Sequence, residues 1–158
     1  MKKFATEIKW GVIFSIVAIL WMVLEKVLGW HDTHIDKHPI YTNLFAIPAI
    51  IMVVLALREK RDKDFGGKMT WVQGFVSGLI ITVVIAILTP LGQYITHEFI
   101  TPDYFQNAIN YAVENNKMSV EDASKWFNFE SYMIQSILGA FIMGIMTSAI
   151  VALFVKKK

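Results

Sequence analysis

Four apolar runs of membrane-crossing length divide this chain, and the polar stretches between them differ sharply in length and charge. The runs extend from about Trp10 to Leu28, Ile40 to Leu57, Thr70 to Tyr94 and Tyr132 to Val155. A helix needs about 20 apolar residues to cross a bilayer, so each run predicts one span. Lys2 and Lys3 ahead of the first run resemble a signal peptide. The run is long for such a segment and no small-x-small cleavage site follows, so it is expected to remain as an anchor. Pro39 suits the first turn of the second span, whereas Pro48 and Pro90 predict bends in the second and third. Gly66 and Gly67 mark a tight turn between them. Trp10, Trp30, Trp71, Tyr41, Tyr94 and Tyr132 fall near the predicted boundaries, where interfacial aromatics belong.

The stretch between the third and fourth runs carries its own pattern. Thr101, Pro102 and Asp103 read as a helix start, with a cap, a proline at the first helical position and an early acid. Phe105, Ala108, Ile109, Ala112 and Val113 then recur at one-face helical spacing, and Asn115 and Asn116 end the pattern. Ser119 with Asp122 forms a capping pair ahead of a second stripe, Ala123, Trp126 and Phe127. The expectation is an amphipathic helical hairpin over about 102–127. It either lies on lipid or covers the bundle as a lid, and amphipathicity alone does not separate the two.

Two spans carry small residues at every fourth position. In the third these are Thr70, Gly74, Gly78, Thr82 and Ala86; in the fourth, Ser136, Ala140, Gly144, Ser148 and Ala152. Apolar burial does not drive helices together in lipid, and close backbone approach through small residues takes its place. Matched stripes on consecutive helices point to packing within one chain, with a homodimer or partner interface as the alternative. Gly74, Gly78, Ala140, Gly144 and Ser148 are the central packing candidates.

Charge adds orientation. Of the 15 Lys and Arg residues, eleven sit in three stretches: Lys2, Lys3 and Lys9; Arg58, Lys60, Arg61, Lys63 and Lys68; Lys156, Lys157 and Lys158. Basic loops stay cytoplasmic. Both termini and the central loop are therefore expected inside, with nine of the 13 acidic residues outside. The expected fold is all-α: a four-transmembrane-helix bundle forming a single integral membrane domain over 1–158. Composition agrees, with 55% hydrophobic residues and a mean hydropathy of +0.49. Split charge of this kind gives no case for nucleic acid. The absence of cysteine excludes thiolate metal sites, disulfides and thiol catalysis.

Candidate chemistry gathers on the expected outer side. Glu25, Asn43, Gln93 and Gln135 place one polar group on each span at similar depth, either as a ligand pocket or as interfacial groups in headgroup water. The inner half offers hydroxyls such as Ser15, Ser77, Thr82, Thr147 and Ser148, which bond to their own helix. A polar path across one protomer is therefore not expected. His31, His34 and His38 would share a face if the first helix continued through them, with Asp32 and Asp36 beside them. Imidazoles beside carboxylates suit zinc or another transition metal, and His97 would join if the loops met. Against this, Pro39 disfavours helix at His38, and a hydrated polar loop explains the same residues. There is no Gly-rich phosphate loop, nucleophile elbow or dinucleotide fingerprint.

The run Glu25-Lys26-Val27-Leu28-Gly29-Trp30-His31-Asp32, the Met69-Thr70-Trp71 to Gly74-Phe75 opening of the third span, Pro90 with Gln93-Tyr94-Ile95, and Thr101-Pro102-Asp103-Tyr104-Phe105 carry a resemblance. On these motifs the chain resembles an uncharacterised bacterial family of small four-span membrane proteins, a domain of unknown function. The resemblance implies the four-helix architecture along essentially the whole chain, in a bacterial inner membrane, and no cofactor or catalytic residue. The first expectation is a non-enzymatic accessory or scaffold protein in the bilayer, meeting a membrane-protein partner or a second copy of itself through its outer side. The alternatives are a metal- or small-ligand-binding sensor using the His cluster, and a lipid-modifying enzyme with Glu25 as acid or base.

Overall fold

The computed structural model describes residues 4–157. Lys2, Lys3 and Lys158 of the basic stretches lie outside the described residues. The fold is all-helical: α1 (Ala5–Val27), α2 (His38–Tyr41), α3 (Ala46–Asp64), α4 (Trp71–Ile95), α5 (Tyr104–Glu114), α6 (Val120–Trp126) and α7 (Phe129–Val155). A 3-10 turn at Ile35–Lys37 precedes α2, another at Thr42–Phe45 joins α2 to α3, and a π-helical segment at Thr96–Ile100 prolongs α4. Four helical stretches are long and apolar enough to cross a membrane: Ala5–Val27, Ile35–Asp64, Trp71–Ile100 and Phe129–Val155. The architecture is that of a multi-pass membrane protein. Large apolar side chains such as Ile16, Leu20, Ile87, Leu138 and Phe154 are exposed along these helices, as lipid contact requires.

Several boundaries differ from the sequence expectation. Each span is longer, because polar residues continue the helix beyond its apolar core. Pro48 falls in the first turn of α3, where no N–H is needed, and so starts the helix instead of bending its middle. Helix α5 begins at Tyr104, two residues after Pro102; the Thr101 side chain is buried without capping it. The second hairpin helix follows the capping pattern closely: Asp122 N–H donates to Ser119 Oγ at 3.1 Å, and that hydroxyl donates back to Asp122 Oδ2 at 2.7 Å.

The described chain divides into two compact units. One comprises the residues up to Ile16, Ala46–Leu88 and those from Ile137 onward; the other comprises Val17–Phe45 and Thr89–Ser136. The core of the first is built from Val53, Ala56, Leu57, Met69, Ile81, Val151, Ala152 and Val155, with Trp10, Trp71 and Phe75 packed against it. Here α4 and α7 lay their small-residue stripes on one another in antiparallel register. A methyl group on Gly78 would strike Ser148, one on Gly144 would strike Thr82, and one on Gly74 would press on Ala152. Trp71 Nε1 donates to the Ala149 carbonyl at 3.0 Å across the same contact. Met69 and Lys157 form an isolated antiparallel bridge that ties the start of α4 to the end of α7.

This unit also buries charge, which the sequence pattern did not indicate. Glu7, on the first turn of α1, is 1% exposed; Lys60 of α3 approaches it at 2.9 Å and Ser77 Oγ donates to it at 3.0 Å. Lys60 also meets Asp64 at 2.7 Å. Helix α1 starts at Ala5 and α3 runs to Asp64, so both charges lie on the same helices as the first and second apolar runs. Ser15 and Thr82 do bond to their own helix, on the carbonyls of Gly11 and Gly78.

Gly78→Leu drives a side chain into Ser148 and is expected to lower stability by about 1–3 kcal/mol. Gly139→Leu, at a position with open space, is expected to stay near wild type. Thermal unfolding in detergent measures both.

Candidate functional site

The second unit is organised around Glu25. Helical periodicity places Trp21 one turn before it, and the indole Nε1 donates to Glu25 Oε1 at 2.5 Å. Two residues past Glu25 the helix stops in a Schellman turn. Gly29 takes φ +75°, its N–H bonds the Lys26 carbonyl at 3.0 Å, and the Trp30 N–H bonds the Glu25 carbonyl at 3.0 Å. The His34 N–H then bonds the Gly29 carbonyl at 2.7 Å. Lys26 meets Asp32 at 3.1 Å. The Thr33 N–H and Lys26 together hold the Asp32 carboxyl below the usual carboxylate range. The result is a reversal that swings His31 back onto the carboxylate at the end of its own helix.

Glu25 has no exposed surface and His31 is 2% exposed. His31 Nε2 lies 2.9 Å from Glu25 Oε2, and His38 Nε2 lies 3.3 Å from the same oxygen. A donor atom from each of the three residues falls within 4.8 Å of the others. The cluster continues outward: His38 Nδ1 is 3.3 Å from the Tyr104 hydroxyl, which is 2.8 Å from the Tyr132 hydroxyl. Burial pushes the Tyr104 hydroxyl pKa up, so it remains a phenol. The rings of His31, His38 and Tyr104 meet edge to face, each pair at 5.2 Å between centroids. Asn107 of α5 donates to the His31 carbonyl at 3.0 Å and anchors the loop. Among the described residues, His31 Nδ1 has no hydrogen-bond partner.

Over residues 9–157 the sequence matches the family described as a protein of unknown function, DUF4199. The chain belongs to the DUF4199 family. Neither a curated protein nor a solved structure matches it.

In this DUF4199 chain the histidine pattern divides. The first helix does not continue through His31, His34 and His38, because Gly29 ends it; the three therefore share no helical face. His31 and His38 converge on Glu25 instead, while His34 is exposed. His97 stacks on Phe105 at 4.2 Å, lies 5.8 Å from the Tyr104 ring, and bonds Gln93 Oε1 through Nε2 at 3.1 Å. Gln93 in turn donates to Ser136 at 2.7 Å. Asn43 is exposed and bonds the Pro39 carbonyl at 2.8 Å; Gln135 is exposed. Of the four-residue polar layer, then, Glu25 and Gln93 enter buried networks and Asn43 and Gln135 do not. The sequence reading gave no site role to Trp21, to Tyr104, or to Tyr132, which it placed among the interfacial aromatics. Only the i, i+4 spacing of Trp21 and Glu25 carried a signal.

The arrangement has two self-consistent hydrogen-bonding states. A neutral His38 that donates from Nε2 to Glu25 must accept at Nδ1, so Tyr104 O–H donates to it. An Nε2 lone pair given to a cation leaves the proton on Nδ1, which then donates to the Tyr104 oxygen and releases that O–H toward Tyr132. Two metal ligands about 2.1 Å from a tetrahedral ion stand about 3.4 Å apart, close to the 3.3 Å between Glu25 Oε2 and His38 Nε2.

Gly29→Ala forces a Cβ into left-handed backbone and against Thr33 Oγ1. It is expected to destabilise the protein by about 1–2 kcal/mol and to shift Trp21 fluorescence as the loop lets go of Glu25. Thermal unfolding and emission spectra read the two effects.

Proposed function

We propose that this protein is a multi-pass membrane protein that binds a divalent transition-metal ion through Glu25, His31 and His38. The observation that carries the reading is the convergence of two imidazole Nε2 atoms on one buried carboxylate oxygen, at 2.9 and 3.3 Å. Two imidazoles and a carboxylate suit Zn(II) or Fe(II) and leave a coordination position for water or a ligand. Trp21 orients the carboxylate and Tyr104 supports His38, the kind of outer contact that tunes metal ligands. Metal-free, the cluster holds a buried carboxylate satisfied by three donors. Binding is favoured over acid–base chemistry on lipid, because Glu25 has no exposed surface from which to reach a substrate. We read the function as non-enzymatic, a sensor or accessory role in which metal occupancy is the signal.

The basic stretches support an orientation with both termini and the α3–α4 turn in the cytoplasm and the metal cluster toward the outer face. A bacterial inner membrane fits that polarity.

Protein purified in detergent and stripped with chelator is expected to bind about one zinc per chain and to unfold at higher temperature when loaded. His31→Ala and His38→Ala are expected to lose at least tenfold in affinity, and Tyr104→Phe about tenfold; His34→Ala should match wild type. Equal losses at His34 and His31, or no zinc-dependent shift, would overturn the reading. Orientation is accessible because the chain has no cysteine. A single cysteine at Thr33 is expected to react with an impermeant maleimide from outside the cell, and one at Lys63 only after lysis.

A further inference from the structure

Beside the proposed metal site lies a half-open cavity of about 150 Å³, whose walls include His38, Tyr104, Ala108, Ala112, Lys117 and Phe127. The sequence makes it in two ways. Ala108 and Ala112 stand one turn apart on the buried face of α5, 4% and 5% exposed, and their small side chains leave room where larger ones would fill it. Helix α5 then ends in the same kind of turn as α1. Asn116 takes φ +53°, its N–H bonds the Val113 carbonyl at 3.0 Å, and the Lys117 N–H bonds the Ala112 carbonyl at 2.8 Å. That turn brings Lys117 to the cavity, with its Nζ 2.8 Å from the Tyr111 hydroxyl and 4.2 Å from the centre of the Tyr111 ring.

We propose that this cavity binds a small aromatic carboxylate, with the ring inside and the carboxylate at Lys117. The size fits a single ring, since a dry protein cavity of about 150 Å³ accepts benzene. Three aromatic side chains among the lining, Tyr104, Tyr111 and Phe127, offer faces and edges that favour a ring over a flexible tail. Charge selects the head group. Lys117 is the one charged group of the lining and forms no ion pair among the described residues, and the His38 nitrogens are directed to Glu25 and Tyr104. The site requires no metal, so its test is separate from that of the metal reading.

The full chain, metal-stripped and reconstituted in nanodiscs, is titrated with benzoate, toluene, acetate and heptanoate by calorimetry and saturation-transfer NMR. Benzoate is expected to bind saturably, more tightly than toluene, and acetate not at all. Lys117→Met is expected to weaken benzoate about threefold to fivefold, the size of an exposed ion pair, and to leave toluene unchanged. Ala108→Leu, with its melting curve confirming the fold, should abolish both. If Ala108→Leu does not fold, the Lys117 variant and the ligand series decide alone. Absence of benzoate binding, benzoate binding unaffected by Lys117→Met, or heptanoate binding as tightly as benzoate overturns the proposal.

Discussion

A carboxylate withdrawn from water must be met by hydrogen-bond donors, because an unpartnered buried charge costs several kcal/mol. Glu25 imposes that requirement on its unit. Trp21 answers it through helix periodicity, His31 through a left-handed glycine that reverses the chain, and His38 through the 3-10 turn and short helix that follow. The tyrosines extend the solution: Tyr104 meets His38, and Tyr132 meets Tyr104. Remove the carboxylate and the geometry of the loop has no centre.

The other unit meets the same difficulty differently. Glu7 is buried as deeply as His31, but its partner is the cation of Lys60, helped by the Ser77 hydroxyl. Lys60 is shared with Asp64, so Glu7 is tied by a cation into a network of side chains. Around it, packing is governed by shape: the glycines of α4 and α7 sit opposite side chains of the facing helix, so the backbones approach closely. One buried acid is met by a cation, while the other is met by two imidazoles and an indole.

Much of the fold was legible because hydropathy and charge act over whole segments. The four spans, the hairpin between the third and fourth, the Ser119 cap and the pairing of the small-residue stripes all follow from periodic patterns of many residues. The site was legible only in part. Glu25, His31 and His38 stood out by type, but the one route to convergence visible in the sequence, a continuous helical face, is not the one the chain takes. A single glycine decided the geometry, and Gly29 reads in the sequence as an ordinary helix terminator. Tyr104 lies outside the apolar stripe of α5, and its hydroxyl acquires meaning only when His38 and Tyr132 arrive from distant parts of the chain. Glu7 and Lys60 were hidden for a related reason: hydropathy marks the apolar core of a span, while the helix itself runs on into polar residues.

The Schellman turn at Gly29 also bears on the order in which the protein is made. Glu25 and the three groups that meet its carboxylate come from one short stretch, Trp21 to His38, which precedes α3 in the chain. Closing so short a loop carries little entropy penalty and takes well under a microsecond, whereas synthesis delivers about 5–20 residues each second. The carboxylate and its two imidazoles can therefore meet while the rest of the protein is still being translated. Tyr104 and Tyr132 join later, when α5 and α7 emerge, and close over a centre that the first helix has already built.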